Sequence, residues 1–250
     1  MKLTRNRGLP VAPLVATAVV LVIGLAYWGW PRLAGRQLAP PPSGTVRVVA
    51  VHLPEGVISD ERLADLTAAI KSQSPHVVAL TGPIDPVQVE RLIGRLGAAW
   101  VGETVPTGVD GAGHRTAMLA NTSLGPIDRA VVPVGAGHQA LVLELRAADG
   151  LTRVISLGQT VLESPLHVSA LFGWMDRRRA GVSVVVAPAA QLGLESAGMA
   201  ERFQRLGPDG DSTAPPIYVA PKSAAATVSR FTASVAGQAL PMVLVDVRRP

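Results

Sequence analysis

Hydrophobic positions along the chain change their period several times, and each change marks a predicted element. From Val11 to Tyr27 they run almost unbroken, and no charged residue occurs between Gly8 and Pro31. At about 1.5 Å of rise per residue, an apolar helix of this length matches a hydrocarbon core of roughly 30 Å. Beyond it the apolar runs are short and β-branched, which predicts strands. They are Val46–His52, His76–Thr81, Thr116–Ala120, Arg129–Val134, Ala140–Arg146, Arg153–Leu157, Ser183–Ala187, Ile217–Ala220, Phe231–Val235 and Met242–Val247. Helical spacing lies between some of them. Ser59 is placed to cap a helix through about Ser72, with Leu63, Leu66 and Ile70 on one face. Val87–Leu96 repeats the pattern with Val89, Leu92, Ile93 and Leu96. Ser164–Arg178 and Gln191–Arg205 are two further predicted helices, and Gly-Pro, Asp-Gly and Pro-Pro pairs punctuate the joins.

The resulting order is β-α-β-α, then strands without helices, then α-β-α and closing strands. Strict βα alternation would predict a doubly wound parallel sheet. The central run of strands needs hairpins instead, which predicts an α/β architecture with hairpins inside a mixed sheet, or two sheets packed face to face with helices outside, the second being preferred. Leu38–Gly44 reads LAPPPSG, a stiff and extended spacer. The chain therefore divides into a basic tail (1–8), a transmembrane helix (9–30), a Pro-rich linker (31–44) and one soluble domain (45–250). A domain of that size buries a sizeable core.

The flanks of the apolar span bear on its role. Lys2, Arg5 and Arg7 precede it, and Tyr27, Trp28, Trp30 and Arg32 fall where interfacial residues meet lipid headgroups. Pro10 and Pro13 lie in the first turn or so, where a missing N–H is tolerated. The alternative is a cleaved signal peptide. Against it, the apolar run exceeds the usual length, and Trp28, Trp30 and Pro31 stand where a small-x-small cleavage site would be. The excess of basic residues before the span predicts a cytoplasmic N-terminus and a periplasmic or otherwise extracytoplasmic domain, in a single pass through a bacterial-type cytoplasmic membrane. With no cysteine in the chain, disulfides give no independent sign of the compartment.

A pI near 10.4 suggests nucleic acid as a partner, until the charge is located. Residues 1–43 carry Lys2, Arg5, Arg7, Arg32 and Arg36 with no acid, which equals the whole chain's net +5. The remainder is neutral, so at the level of overall charge the phosphate-binding footprint expected of a nucleic-acid-binding domain is missing, which leaves a local basic patch open. The partner predicted is a lipid bilayer.

Several strings resemble the endonuclease/exonuclease/phosphatase superfamily. TVRVVAVHL looks like its first strand, SPHVVALTG like its "PDVVALQE" strand, and GHRTAMLANTSLGPI like its hairpin ending in "PI". LTRVISLGQTVLE stands in the place of "LRVVNTHL", GVSVVVAPAAQ in that of "PVVLAGDFN", and AGQALPMVLVDV in that of "SDHLPVVVEL". The resemblance spans nearly all of residues 45–248. It implies a four-layer α/β/β/α sandwich with mixed sheets, and a divalent metal, usually magnesium, used to cleave phosphoric esters. The residues at the implied site positions differ from the family's. His52 stands for the first-strand asparagine and Gly82 for the metal-binding glutamate. Gly158 or Gln159 stands for the catalytic histidine, Ala189 and Gln191 for the "GDFN" pair, and Gln238 and Ala239 for the closing aspartate and histidine. Mg²⁺ takes oxygen ligands, typically carboxylates, and activation of water needs a basic acceptor. The resemblance thus implies a degenerate site with no catalytic residue, no metal and no cofactor.

Other chemistry is sparse. His52, His76, His114, His138 and His167 show no metal-ligand spacing; His114 with Arg115, after VDGAG, is a candidate anion contact. GAGHQA at 135–140 matches a dinucleotide fingerprint only superficially, since strand follows where a helix should open, and a hairpin turn is predicted. Asp209 and Asp211 are a candidate cation contact, although Asp-Gly in a polar loop is first of all a turn. Arg177, Arg178 and Arg179 end a predicted helix, where cations complement the dipole, and an anion site, lipid headgroups or a partner are equal alternatives for them; Phe172 and Trp174 are predicted core. The leading expectation is a membrane-anchored, non-catalytic interaction domain, an accessory subunit among other membrane proteins. One alternative is a divergent metal-dependent phosphodiesterase or phosphatase using Glu55, Asp60, Asp85, Glu103 and Asp110. Another is a periplasmic sensor with a deep, partly apolar pocket near Gly82 and Ala189.

Overall fold

The Val46–Val51 run is buried along its whole length, as a strand covered on both faces must be. In the computed structural model it lies within β1 (Thr45–His52), near the middle of a sheet. The structure describes residues 40–54, 59–106, 115–125, 127–135, 138–147, 150–157, 165–187, 198–206 and 215–248.

Two six-stranded sheets form an α/β sandwich. In chain order the strands are β2 (Val77–Gly82), β3 (Trp100–Pro106), β4 (Arg115–Asn121), β5 (Ile127–Gly135), β6 (His138–Ala147), β7 (Gly150–Leu157), β8 (Val182–Val186), β9 (Gln204–Leu206), β10 (Ile217–Ala220), β11 (Ala226–Val235) and β12 (Gln238–Arg248). The first sheet has the order β11-β12-β1-β2-β4-β3 and the second β5-β6-β7-β8-β10-β9. Both are mixed. β1 and β2 are parallel and joined through helix α1 (Asp60–Ser72); β7 and β8 are parallel and joined through α3 (Pro165–Arg177). The other pairings are antiparallel, so each sheet grows by hairpins around one βαβ unit.

Residues two apart share a face. Val46, Val48 and Ala50 of β1 meet Leu141, Leu143, Val154, Val184 and Val219 of the second sheet in one apolar cluster between the sheets. The helices cover the other faces. Ser59 caps α1 by accepting from the Arg62 amide, and Leu63, Leu66 and Ile70 are buried as predicted. α2 (Pro86–Leu96) begins with a capping box between Asp85 and Gln88 and buries Val89, Leu92 and Leu96. α1 packs on β11 and α2, and α2 packs on β3. Val168 and Leu171 of α3 join Val142, Ile155 and Val185 on the outer face of the second sheet.

Three elements differ from the sequence reading. β3 was not predicted, because an edge strand that is mostly half-buried carries a weak alternation, and WVGETVP includes Gly and Pro. Of the predicted Gln191–Arg205 helix, only α4 (Met199–Arg202) is helical among the described residues; Gln204 and Arg205 are strand, paired with β10. β11 begins at Ala226, well before the predicted Phe231, since its exposed edge half is polar. The predicted membrane span at 9–30, with Tyr27, Trp28, Trp30 and Arg32, lies outside the described residues. Among those described, no helix is long and apolar enough to cross a membrane.

Candidate functional site

The two parallel pairs bring the C-terminal ends of β1, β2, β7 and β8 to the same end of the sandwich, the usual position for a site in such sheets. A hydrogen bond between Thr116 on β4 and Ser156 on β7, 2.5 Å between oxygens, ties the sheets together there. The inward-facing row that is valine and alanine through the core turns polar at this end. His52 pairs in register with Thr81, and Thr81 with Thr116. His52 Nδ1 lies 3.0 Å from Thr81 Oγ1, and the Thr116 hydroxyl donates to the Leu80 carbonyl at 3.2 Å. Thr116 and Ser156 are fully buried and Thr81 nearly so. These groups are neutral hydroxyls with one imidazole, each hydroxyl satisfied inside the protein, as buried polar groups require.

Gly82 follows at the end of β2. The Leu53 amide donates to the Thr81 carbonyl at 2.7 Å, which folds the chain after β1 across this glycine. A Cβ at position 82 would overlap the Leu53 carbonyl oxygen and lie 3.1 Å from the Leu53 Cβ. The backbone φ of +124° excludes a side chain on separate grounds. Main chain and Leu53 therefore occupy the space that the resemblance assigns to a metal-binding carboxylate.

Gln238 and Ala239 open β12, paired with Val235 and Ser234 of β11. With Leu53, Leu66 and Leu240 they line a cavity of about 30 Å³, with Arg62 beside it. That volume suits a water molecule or so, well below the roughly 300 Å³ at which small-molecule pockets begin. This cavity is therefore not the deep pocket expected of a sensor near Gly82 and Ala189. Gly158, Gln159, Ala189 and Gln191 lie outside the described residues; in sequence they follow the C-terminal ends of β7 and β8.

Of the carboxylates considered for a relocated metal site, the three described ones are each engaged elsewhere. Asp60 in the first turn of α1 pairs with Arg91 of α2 at 3.0 Å. Asp85 caps α2, and Glu103 on β3 lies 3.6 Å from Arg129 on β5. Glu55 and Asp110 lie outside the described residues, as do His114, Asp209 and Asp211. Among the described residues no three metal-ligating side chains cluster. His76 accepts the Arg47 amide at Nδ1 (3.0 Å), and the His167 ring on α3 packs over Gly135. β5 and β6 form the hairpin expected at GAGHQA, with Gly135 opposite His138. Arg177 ends α3 as predicted. Phe172 and Trp174 are only half-buried, and the guanidinium groups of Arg153 and Arg178 both lie against the Trp174 ring.

The hydroxyls Thr81, Thr116 and Ser156 were missed by the sequence reading. Their signal was present: each sits one step beyond an inward apolar residue, at Ala79, Met118 and Val154 respectively.

No protein-family model matches the sequence, and neither does any curated protein. Solved structures match over most of the chain. Humanized D. rerio TDP2 superposes with a TM-score of 0.60 at 11% identity, covering 82% of this chain and 99% of its own. The endonuclease/exonuclease/phosphatase from Bacteroides vulgatus gives 0.60 at 13% identity, with 82% and 99% covered. The endonuclease/exonuclease/phosphatase family protein from Leptotrichia buccalis gives 0.58 at 7%, with 81% and 99% covered. The domain has the endonuclease/exonuclease/phosphatase fold. At these identities the likeness speaks for architecture alone, and the chemistry of this endonuclease/exonuclease/phosphatase-like domain rests on its own residues.

Proposed function

We propose that this endonuclease/exonuclease/phosphatase-fold domain acts by binding and does not hydrolyse phosphoric esters. On this proposal its N-terminal segment tethers it to a bilayer, as an accessory subunit of a larger membrane protein complex with the domain on the extracytoplasmic side. The observation that carries the first part is the approach of Leu53 to Gly82, which leaves no room for a carboxylate on β2. Mg²⁺ takes oxygen ligands, usually from carboxylates, and a hydroxide generated at neutral pH needs the metal or a base to take the proton. Among the described residues, the hydroxyls and the imidazole at this end supply no carboxylate for such a metal. The tether rests on the uncharged span at 9–30 and on the neutrality of everything after residue 43.

A second reading draws on the likeness to solved endonuclease/exonuclease/phosphatase proteins: a divergent, metal-dependent phosphodiesterase or phosphatase with relocated ligands. Glu55 and Asp110 would serve it. Their segments join β1 at Pro54, and β3 and β4 at Pro106 and Arg115, all at the end where Thr81 and Thr116 lie.

One experiment separates the two. The full chain in mild detergent is titrated with Mg²⁺ and Mn²⁺ by calorimetry and assayed on bis(p-nitrophenyl) phosphate. Heats of dilution only, and no chelator-sensitive turnover, are expected. Stoichiometric metal binding with turnover that disappears in Glu55→Gln or Asp110→Asn would establish the second reading. For the subunit role, purification from the native membrane is expected to bring a stoichiometric companion; recovery of the chain alone would end that part of the proposal.

A further inference from the structure

The outer face of the second sheet holds a groove of about 650 Å³, within the size range of small-molecule sites. It lies toward the N-terminal ends of β7 and β8, away from Ser156, at the C-terminal end of α3. Arg153 forms part of its floor and is only 1% exposed. Its guanidinium is fixed by Glu144 (Nε and Nη2 to Oε1, 2.9 and 2.7 Å), by the Arg178 carbonyl, and by the Trp174 ring at 4.8 Å. Arg202 is held in the same manner, with Nη1 on both oxygens of Asp176 (2.8 and 3.0 Å) and its guanidinium 4.6 Å from the Phe172 ring centroid. Arg179 also lines the groove, is exposed, and has no carboxylate partner among the described residues. Lining cations and their partners leave a net positive charge, and Arg177 and Arg178 adjoin it.

We propose that this groove binds a phosphoryl group through Arg179 and Arg202, with the Ser183 hydroxyl as a further donor. Planar guanidinium forks held by pairing and stacking match phosphoryl oxygens and lose little rotamer freedom on binding. Met175 and Phe203 supply an apolar wall for the rest of the ligand. Asp176 opposes the anion and keeps the site weak. The phosphoryl group comes from a soluble phosphate ester or from a lipid headgroup.

The test uses the full chain in phosphatidylcholine nanodiscs, titrated by calorimetry with inorganic pyrophosphate and with dihexanoyl phosphatidylglycerol. Saturable binding of at least one is expected, weakened about tenfold or more in Arg179→Gln and in Arg202→Gln. Pyrophosphate binding alone identifies the soluble source. Phosphatidylglycerol binding alone identifies the headgroup, and mutual competition shows that one site takes both. Both variants change exposed side chains, and unchanged thermal midpoints establish that they fold. Absence of binding by either probe up to about 10 mM, or affinity indifferent to Arg179→Gln in a folded variant, overturns the proposal.

Discussion

At Gly82 two independent constraints coincide, a φ of +124° and the close approach of the Leu53 carbonyl. Gly82→Ala must relieve both, and the offending atom is backbone. It is expected to destabilise the domain by about 2–4 kcal/mol in urea denaturation. A loss under about 0.5 kcal/mol would mean that the loop after β1 yields easily, and that a carboxylate at this position is not excluded by space. Tyr218 offers a second test at this scale. Burial raises its pKa above the ordinary 10.0, and the nearby Arg205 lowers it by a smaller amount. A folded-state pKa above the unfolded value means that its contribution is whole below about pH 10 and declines as pH rises toward the folded pKa. The thermal midpoint of the native chain is therefore expected to fall more steeply above about pH 10 than that of Tyr218→Phe. Parallel curves for the two would contradict it.

Among the elements, helices α1 and α2 were legible because an amphipathic helix repeats a local pattern and advertises its start. Ser59 was read as a cap directly. Asp85 was first considered as a metal ligand, whereas its spacing to Gln88, with Pro86 between, is that of a capping box. Asp85→Ala is expected to lower stability by about 1 kcal/mol in chemical denaturation, with an unchanged denaturant dependence. A larger effect accompanied by lost metal binding would return Asp85 to the list of ligands. The edge strands β3, β9 and β11 were the elements missed or shortened. An edge strand in contact with solvent has no need of a continuous apolar run, so its sequence signal is diluted.

For the molecule as a whole, the described residues lie in a unit spanning Ala39–Pro250, and the inter-sheet cluster runs from Val46 to Val247. A chain starting at Ala39 is expected to unfold cooperatively with the same thermal midpoint as the full chain in detergent. A fall of many degrees would show that the N-terminal segment contributes to the fold, not only to its placement. Buried ion pairs close the structure across long stretches of chain. Arg47 on β1 bonds Asp246 on β12 through two donors, at 2.7 and 2.8 Å, and also the Gln73 carbonyl. Removing one partner of such a pair leaves an uncompensated charge, so the pair holds β12 to β1 more firmly than its net energy suggests.

The sequence by itself determined the properties that depend on near neighbours. These are the apolar span with its basic and aromatic flanks, the central strands, the faces of α1 and α2, the neutrality of the domain, and the likeness of its strings to endonuclease/exonuclease/phosphatase proteins. Periodicity and charge are local, and a linear reading recovers them. Tertiary structure alone decided which distant residues meet. Thr116 and Ser156 are 40 residues apart, Arg47 and Asp246 are 199 apart, and nothing in either neighbourhood names the other. The same holds at the candidate site. The sequence put a glycine where a carboxylate was expected, and only the packing of Leu53 against it showed that the space is already filled. The arginine groove likewise arises where α3, β7, β8 and α4 converge, from residues whose separate patterns read as a helix end and ordinary strands.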